Sequence, residues 1–305
     1  MKVAVIDMGT NTCNLLIAEI GQRGAYHILF QAREGVNLGK GGINAHQLTP
    51  EAFNRAKTAL QSHLRHIHRI KVDRLFCVAT SAVRDADNKN QFCTFLHQAT
   101  GITLQIISGD QEAGYIFEGV RLAFQSIPDN TLILDIGGGS NEFIISNSNR
   151  PAWKHSFPLG MSRVIEHIRL SNPITSGELH RVISYFDSGL SQLWQQTAKT
   201  KIDQLIGCAG AFNTLCDLID NVPPQTKVRR RQEISLFDFQ ETANRVIHSS
   251  REQRSVMTGM DPLRIQLIVP ALIFIRLIVE RLQPARISQT DYSLREGVLN
   301  QLLID

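Results

Sequence analysis

The sequence predicts an α/β protein made of two copies of one plan, and two observations carry that prediction. An apolar run that ends in an aspartate and a small-residue turn occurs at Val3-Ala4-Val5-Ile6-Asp7-Met8-Gly9-Thr10-Asn11. It returns at Leu132-Ile133-Leu134-Asp135-Ile136-Gly137-Gly138-Gly139-Ser140-Asn141. After each copy further strand-like stretches come first and helices alternating with strands follow, so the chain restarts its grammar midway.

The elements follow in order. Residues 2–7 are a continuous apolar run, as a central buried strand should be. Residues 13–20 and 26–32 read as the next two strands, joined by a turn around Gly21 and Gly24. After the glycine-rich loop at Gly39, Gly41 and Gly42, Pro50 opens an amphipathic helix to about His68. Strand 75–80, helix 90–100, strand 103–107 and helix 111–123 complete the first half. The second half offers strands 132–135, 142–146 and 153–157, helices 162–170 and 176–198, and a strand at 204–206. A weaker helix at 212–219 leads to Pro223-Pro224. Helices 237–249, 251–257 and 262–282, a strand at 286–290 and a closing helix from Tyr292 finish the chain. The polar segment Ser126-Ile127-Pro128-Asp129-Asn130 marks the boundary between the halves.

Bulk properties agree. At 305 residues the chain is long for one core and comfortable as two domains. A net charge of +4 suits an anionic substrate but lacks the heavy basic excess of a nucleic-acid binder. The five cysteines are odd in number and show no C-x-x-C spacing, which argues against a disulfide framework or a zinc site and for a reducing cytoplasm. No signal-peptide pattern opens the chain, and the most apolar stretch, 267–279, is too short to span a bilayer and is broken by Pro270 and Arg276. The expectation is a soluble cytoplasmic protein with neither a nucleic-acid nor a membrane partner.

A tight turn after a strand gathers backbone N–H groups into one concavity, which binds phosphate oxygens without a charged side chain. Glycine lets the ligand approach, and Gly137–Gly139 suits this. Duplicated halves imply a cleft, with Asp7 and Asp135 facing each other across it. Two carboxylates near a phosphate are chiefly useful when Mg²⁺ lies between them. A third glycine turn, Gly207-Cys208-Ala209-Gly210, leads into a helix and is another anion site in form. Arg84 follows a strand end, where it can fork onto phosphate or merely pair with Asp85. Glu112 lies in the first turn of a helix, where it can favour the dipole or aim a water at phosphorus. Three signals are set aside: the stretch from Gly35 to Gly41 lacks a spacer residue of a P-loop, the trio His63, His66 and His68 reads as a solvated basic face, and Lys227–Arg231 reads as a solvated loop unless it lines the cleft.

In this order the residues resemble the exopolyphosphatase / guanosine pentaphosphate phosphohydrolase family, of the actin–sugar kinase–Hsp70 fold. The matching stretches are Ala4–Thr12, Ala79–Ala86, Ile107-Ser108-Gly109 with Glu112-Ala113, Asp135–Ser140 with Glu142, Pro158-Leu159-Gly160, Val269-Pro270 and Leu294–Leu299. The resemblance implies two duplicated ribonuclease H-like (actin-like ATPase) domains with an interdomain cleft. Residues 1–125 with 292–305 would form the first, since the closing helix packs back on it, and 126–291 the second.

The resemblance also implies release of terminal phosphate by hydrolysis, with Mg²⁺ as cofactor and Mn²⁺ suited by the same oxygen ligands. Glu112 falls on the family's water-activating glutamate and Arg84 on a phosphate-contacting arginine. Asp135 and Glu142 fall on phosphate-loop acids that hold metal or orient water. Asp7, Gly9, Thr10 and Asn11 form the first phosphate loop, with Asp7 a further metal candidate. Gly137, Gly138, Gly139 and Ser140 form the second, and Gly207 and Gly210 belong to the third turn.

There are departures. Gln111 stands where Glu is usual, the 207–211 loop lacks the usual threonines, Asn141 replaces Thr, and Ser293 replaces Gly. The chain also ends where longer relatives add helical and HD-type domains, which points to shorter polyphosphates or a nucleotide. The substrate expected is inorganic polyphosphate, with guanosine pentaphosphate as the nearest rival. A small-molecule kinase of the same fold and a non-catalytic polyphosphate or alarmone sensor are the other classes, and a homodimer is left open.

Overall fold

The computed structural model describes residues 1–22 and 25–304, so the turn expected at Gly24 lies outside the described residues. The chain divides into two compact units, Met1–Leu122 with the closing helix from Leu294, and Ala123–Ser293.

The first unit contains β1 (Lys2–Met8), β2 (Thr12–Ile20), β3 (Tyr26–Gly35), α1 (Pro50–Ile70), β4 (Arg74–Ala79), α2 (Ser81–Arg84), α3 (Lys89–Thr100) and β5 (Gln105–Ile106). Helix α4 (Gly109–Phe124) runs to its boundary. The sheet order is β3-β2-β1-β4-β5, with β1–β2–β3 antiparallel and β1–β4–β5 parallel. β1 is central, and Val3 to Ile6 are buried without alternation because both faces are covered. Helix α1 starts on Thr49, whose hydroxyl accepts from Ala52 N–H, with Pro50 in the first position. It ends at Lys71 in the left-handed region.

The second unit contains β6 (Thr131–Ile136), β7 (Asn141–Asn147), β8 (Arg150–Phe157), α5 (Met161–His167), α6 (Ser176–Gly189), α7 (Ser191–Thr197), β9 (Gln204–Cys208) and α8 (Gly210–Asp220). It continues through β10 (Gln232–Ile234), α9 (Leu236–Ile247), α10 (Arg251–Ser255), α11 (Ile268–Leu282) and β11 (Arg286–Thr290). Its sheet order is β10-β11-β9-β6-β7-β8. Stripped of the edge strand β10, this repeats the first sheet strand for strand, with β6 in the place of β1 and the same pattern of parallel and antiparallel neighbours. Each unit has its own apolar core, the first around Ile6, Leu15, Leu60 and Phe92, the second around Phe143, Phe186, Phe212 and Phe274. Helix α12 (Leu294–Ile304) closes the first unit, with Gly297 set tightly against the backbone of Tyr115 in α4.

Five elements differ from the sequence expectation. The helix expected over 176–198 breaks at Gly189-Leu190, where Gly189 packs beneath Leu159 with no room for a side chain. The helix expected from Pro262 starts only at Ile268, which leaves Pro270 in the first turn, where a missing N–H costs nothing. Strand 103–107 shrinks to Gln105–Ile106, and β10 and α2 had no expectation at all.

Candidate functional site: two turns, a third, and an Arg84–Glu112 pair

The first turn sits between β1 and β2. Gly9 N–H donates to Thr12 O at 2.9 Å and closes it. The loop that resembled a P-loop lies against it instead: Val36 and Asn37 N–H both donate to Asn11 O (2.8 and 3.1 Å), and Leu38 N–H donates to Thr10 O at 2.6 Å. A carbonyl and the next residue's N–H point opposite ways across a planar peptide, so pinning these two carbonyls turns the amides of Asn11 and Thr12 to the other side. Asp7 lies across the ladder from Asn14, whose Nδ2 donates to Asp7 Oδ2 at 3.1 Å. Atoms packed around the Asp7 carboxylate strip its hydration and push it up to about 6, against the smaller opposing pull of Asn14 and Arg295.

The same unit brings Arg84 and Glu112 together. Helix α2 is one turn, built because Val83 and Arg84 N–H return to Thr80 O while Thr80 N–H reaches Met8 O on β1. Helix α4 starts on Ser108, whose hydroxyl accepts from Gln111 N–H (3.1 Å) while the Gln111 side chain accepts from Ser108 N–H (2.9 Å). Gln111, the departure from the family's usual Glu, thus completes a capping box, and Glu112 is fixed in the first turn. One terminal nitrogen of Arg84 meets Glu112 Oε2 at 2.7 Å and Ile107 O at 3.2 Å. The Arg84–Asp85 contact is longer, 3.6 Å, so the pairing with Glu112 dominates. Glu112 is buried and Arg84 keeps about a fifth of its side chain exposed, 19%.

The second turn sits between β6 and β7. Gly137 N–H closes it on Ser140 O at 3.0 Å. Behind it, Met161 N–H donates to Gly137 O (3.0 Å), Ser162 N–H to Gly138 O (2.8 Å) and Gly160 N–H to Gly139 O (3.3 Å). All three glycine carbonyls are held from one side, which aims the amides of Gly138, Gly139 and Ser140 to the other. Leu159-Gly160 lies flush against the turn, and a Cβ on Gly160 would stand 2.3 Å from the carbonyl carbon of Gly138. Gly160→Ala is therefore expected to cost about 3 kcal/mol, an overpacking against backbone that cannot give way, measured as a fall in the denaturation midpoint.

Asp135 and Glu142 are direct cross-strand partners on β6 and β7. Their counterparts in the first unit are Asp7 and Asn14. Like charges directly opposite on a ladder repel, and the first unit avoids this with an amide where the second keeps two carboxylates. Glu142 Oε1 accepts from Ser156 Oγ at 2.6 Å, and Asp135 Oδ2 accepts from Ser293 Oγ. Two hard oxygen donors side by side suit a divalent cation such as Mg²⁺, which leaves much of its shell to water and substrate oxygens. Among the described residues no three His, Cys, Asp or Glu side chains form a closed cage.

The third turn follows β9. Gly207 has no room for a Cβ against the Phe212 ring, and Ala209, at φ 56°, is a non-glycine in the left-handed half of the map. Gly210 opens α8 with the Arg264 guanidinium laid against it, a neighbour with no signal in the sequence. Two discounted features also read differently in the structure. His63 is wholly buried, its Nε2 against Cys13 O at 3.0 Å, rather than solvated with its neighbours. Arg229 in the basic run is buried between Asp217 (2.6 Å) and Asp220 (2.8 Å), Lys227 pairs with Asp220, and Arg230 and Arg231 lie over the rings of Tyr292 and Phe124. The run is a set of partnered side chains.

Known proteins resemble this chain over nearly its whole length. A bifunctional 3-dehydroquinate synthase/phosphatase of Fusobacterium nucleatum is 30% identical over 295 residues, which cover 91% of this chain and 43% of that protein. Exopolyphosphatase 2 of Mycobacterium tuberculosis is 27% identical over 310 residues, 97% of each. A crystal structure of an exopolyphosphatase from Cytophaga hutchinsonii superposes with a TM-score of 0.94 at 33% identity, covering 100% of this chain and 98% of that one. The fold is the two-domain actin-like architecture of such structures. The model of the Ppx/GppA phosphatase family matches residues 16–304, and the chain belongs to that family.

Proposed function

We propose that this protein hydrolyses the terminal phosphoanhydride of inorganic polyphosphate, releasing orthophosphate. The observation that carries the reading is the Arg84–Glu112 pair: a buried carboxylate at a helix start, oriented by an arginine at 2.7 Å. The exopolyphosphatases among its relatives support the substrate. On this reading Glu112 takes a proton from the attacking water, and Arg84 neutralises charge on the phosphoryl oxygens. The Asn11 and Thr12 amides and the Thr10 hydroxyl of the first turn, the Gly138, Gly139 and Ser140 amides of the second and the Gly207–Gly210 stretch of the third hold phosphate oxygens, while Gly9 and Gly137 close their turns.

Catalysis in the family is metal-dependent. Asp135 and Glu142 fit a hard divalent cation and would hold it, with Asp7 as the further candidate. When bound, Mg²⁺ or Mn²⁺ supplies charge neutralisation at the phosphate oxygens. The domain assignment proposed is the one in which the closing helix belongs with the first phosphate loop. Among the described residues no helix is long and apolar enough to cross a membrane.

The test is phosphate release from polyphosphates of defined length and from guanosine pentaphosphate, with and without chelator. Rapid release from polyphosphate, lost in EDTA and restored by Mg²⁺, is expected. Faster release from guanosine pentaphosphate would move the substrate to the family's other activity, and phosphorylation of a small molecule by ATP would make the protein a kinase.

A further inference from the structure

We propose that Arg163 is a positioning residue for the second phosphate turn: its side chain locks the Gly139–Ser140 peptide so that the Ser140 amide faces the substrate. The inference rests on the phosphate-binding reading of that turn.

Arg163 lies in α5 and is buried, with 6% of its surface exposed. Its Nε donates to Gly139 O at 2.8 Å. That carbonyl already accepts from Gly160 N–H at 3.3 Å, so it would not be left without a partner if the arginine were absent. What the arginine adds is geometric and electrostatic. A second, charge-assisted bond fixes the plane of the Gly139–Ser140 peptide and polarises it, which strengthens the N–H on its far side as a donor.

The first unit carries the same device. Helix α1 follows β3 as α5 follows β8. From α1, Arg55 donates through Nε to Val36 O (2.7 Å) and through a terminal nitrogen to Asn37 O (2.8 Å). Those two residues and Leu38 are the ones whose amides pin Thr10 O and Asn11 O in the first turn. In each unit, the helix after the third strand delivers an arginine to the carbonyl side of the turn, directly in the second and through one loop in the first.

The test uses the full chain with Arg163→Met and Arg163→Lys. Amide exchange at 138–140 is read without ligand, and kcat and KM are read with polyphosphate and Mg²⁺. Arg163→Met is expected to speed exchange at 138–140 about tenfold while β9 is unchanged, and to lower kcat about thirtyfold with KM nearly constant, the pattern of a donor that matters most when charge develops. Arg163→Lys, which keeps one charged donor, is expected to fall between the two, and it carries the test if the methionine variant does not fold. Unchanged exchange with normal kcat overturns the proposal, and so does exchange that rises evenly across the unit, which marks a merely structural role. Wild-type protein that releases no phosphate overturns the hydrolase reading alone, because the exchange measurement still decides the role of Arg163.

Discussion

Glu112→Gln is expected to bind polyphosphate as the wild type does and to turn it over about a thousandfold more slowly, the scale of losing a positioned general base. The substitution keeps size and hydrogen-bonding shape. The amide side chain still offers an oxygen to Arg84, and Arg84 keeps Ile107 O at 3.2 Å and Asp85 at 3.6 Å. The guanidinium is therefore not orphaned, and the stability loss is expected to stay near about 1 kcal/mol, the difference between a charge-assisted and a neutral bond. What the substitution removes is the negative charge and, with it, the capacity to accept a proton. Binding by calorimetry and phosphate release at saturating substrate separate the two effects. Near-normal turnover would remove Glu112 from the role of base, and lost binding would make it a substrate ligand instead.

The parts of this site that could be read in the sequence are those where one local pattern fixes one conformation. β1 and β6 are apolar runs that end in an aspartate, and a strand buried on both faces has little other way to be written. Pro50 after Thr49 could only open a helix. Ser108 with Gln111 was a capping box in the sequence, and it explains why Gln is tolerated beside Glu112.

His63 was also legible. It continues the stripe Ala52, Ala56, Ala59, Leu60 and Ile67, all buried, at helical spacing, and grouping it with His66 and His68 by residue type hid that register. Other features exist only through distant partners. Helix α2 forms because Thr80 is tied to Met8, and β10 because it pairs with β11 more than fifty positions later in the chain. Arg229 was read as part of a solvated loop and Arg163 carried no signal, because a buried cation is announced by its acceptors, and here these are a backbone carbonyl and two aspartates set by the fold. Ser293, noticed only as a departure from the family, turns out to hold Asp135.

Asp7→Asn is expected to stabilise the protein at neutral pH while lowering activity about a hundredfold, so that stability and function move in opposite directions. The Asp7 carboxyl is pushed from 3.8 to about 6 by loss of hydration, with Glu296 adding a smaller like-charge effect. A carboxyl with a raised value binds its proton more tightly in the folded chain than in the unfolded one. Below pH 3.8 both states carry the proton and the residue costs nothing. Above that the unfolded chain ionises while the folded one still holds its proton, so stability falls as pH rises until the folded carboxyl ionises at about 6, by at most about 3 kcal/mol. Partial solvent contact at Asp7 makes that an upper bound.

An asparagine escapes this cost and still accepts the Asn14 Nδ2–H, because the accepting oxygen is retained. The melting temperature of Asp7→Asn should therefore exceed that of the wild type at about pH 7.5, and the advantage should vanish near about pH 4. Activity at neutral pH should drop with the lost charge, and wild-type activity should rise with pH through about 6 as Asp7 ionises. A less stable Asp7→Asn protein at neutral pH would contradict the strain assigned to the carboxylate. A stabilised variant with full activity would leave the strain in place and take the first loop's acid out of the reaction.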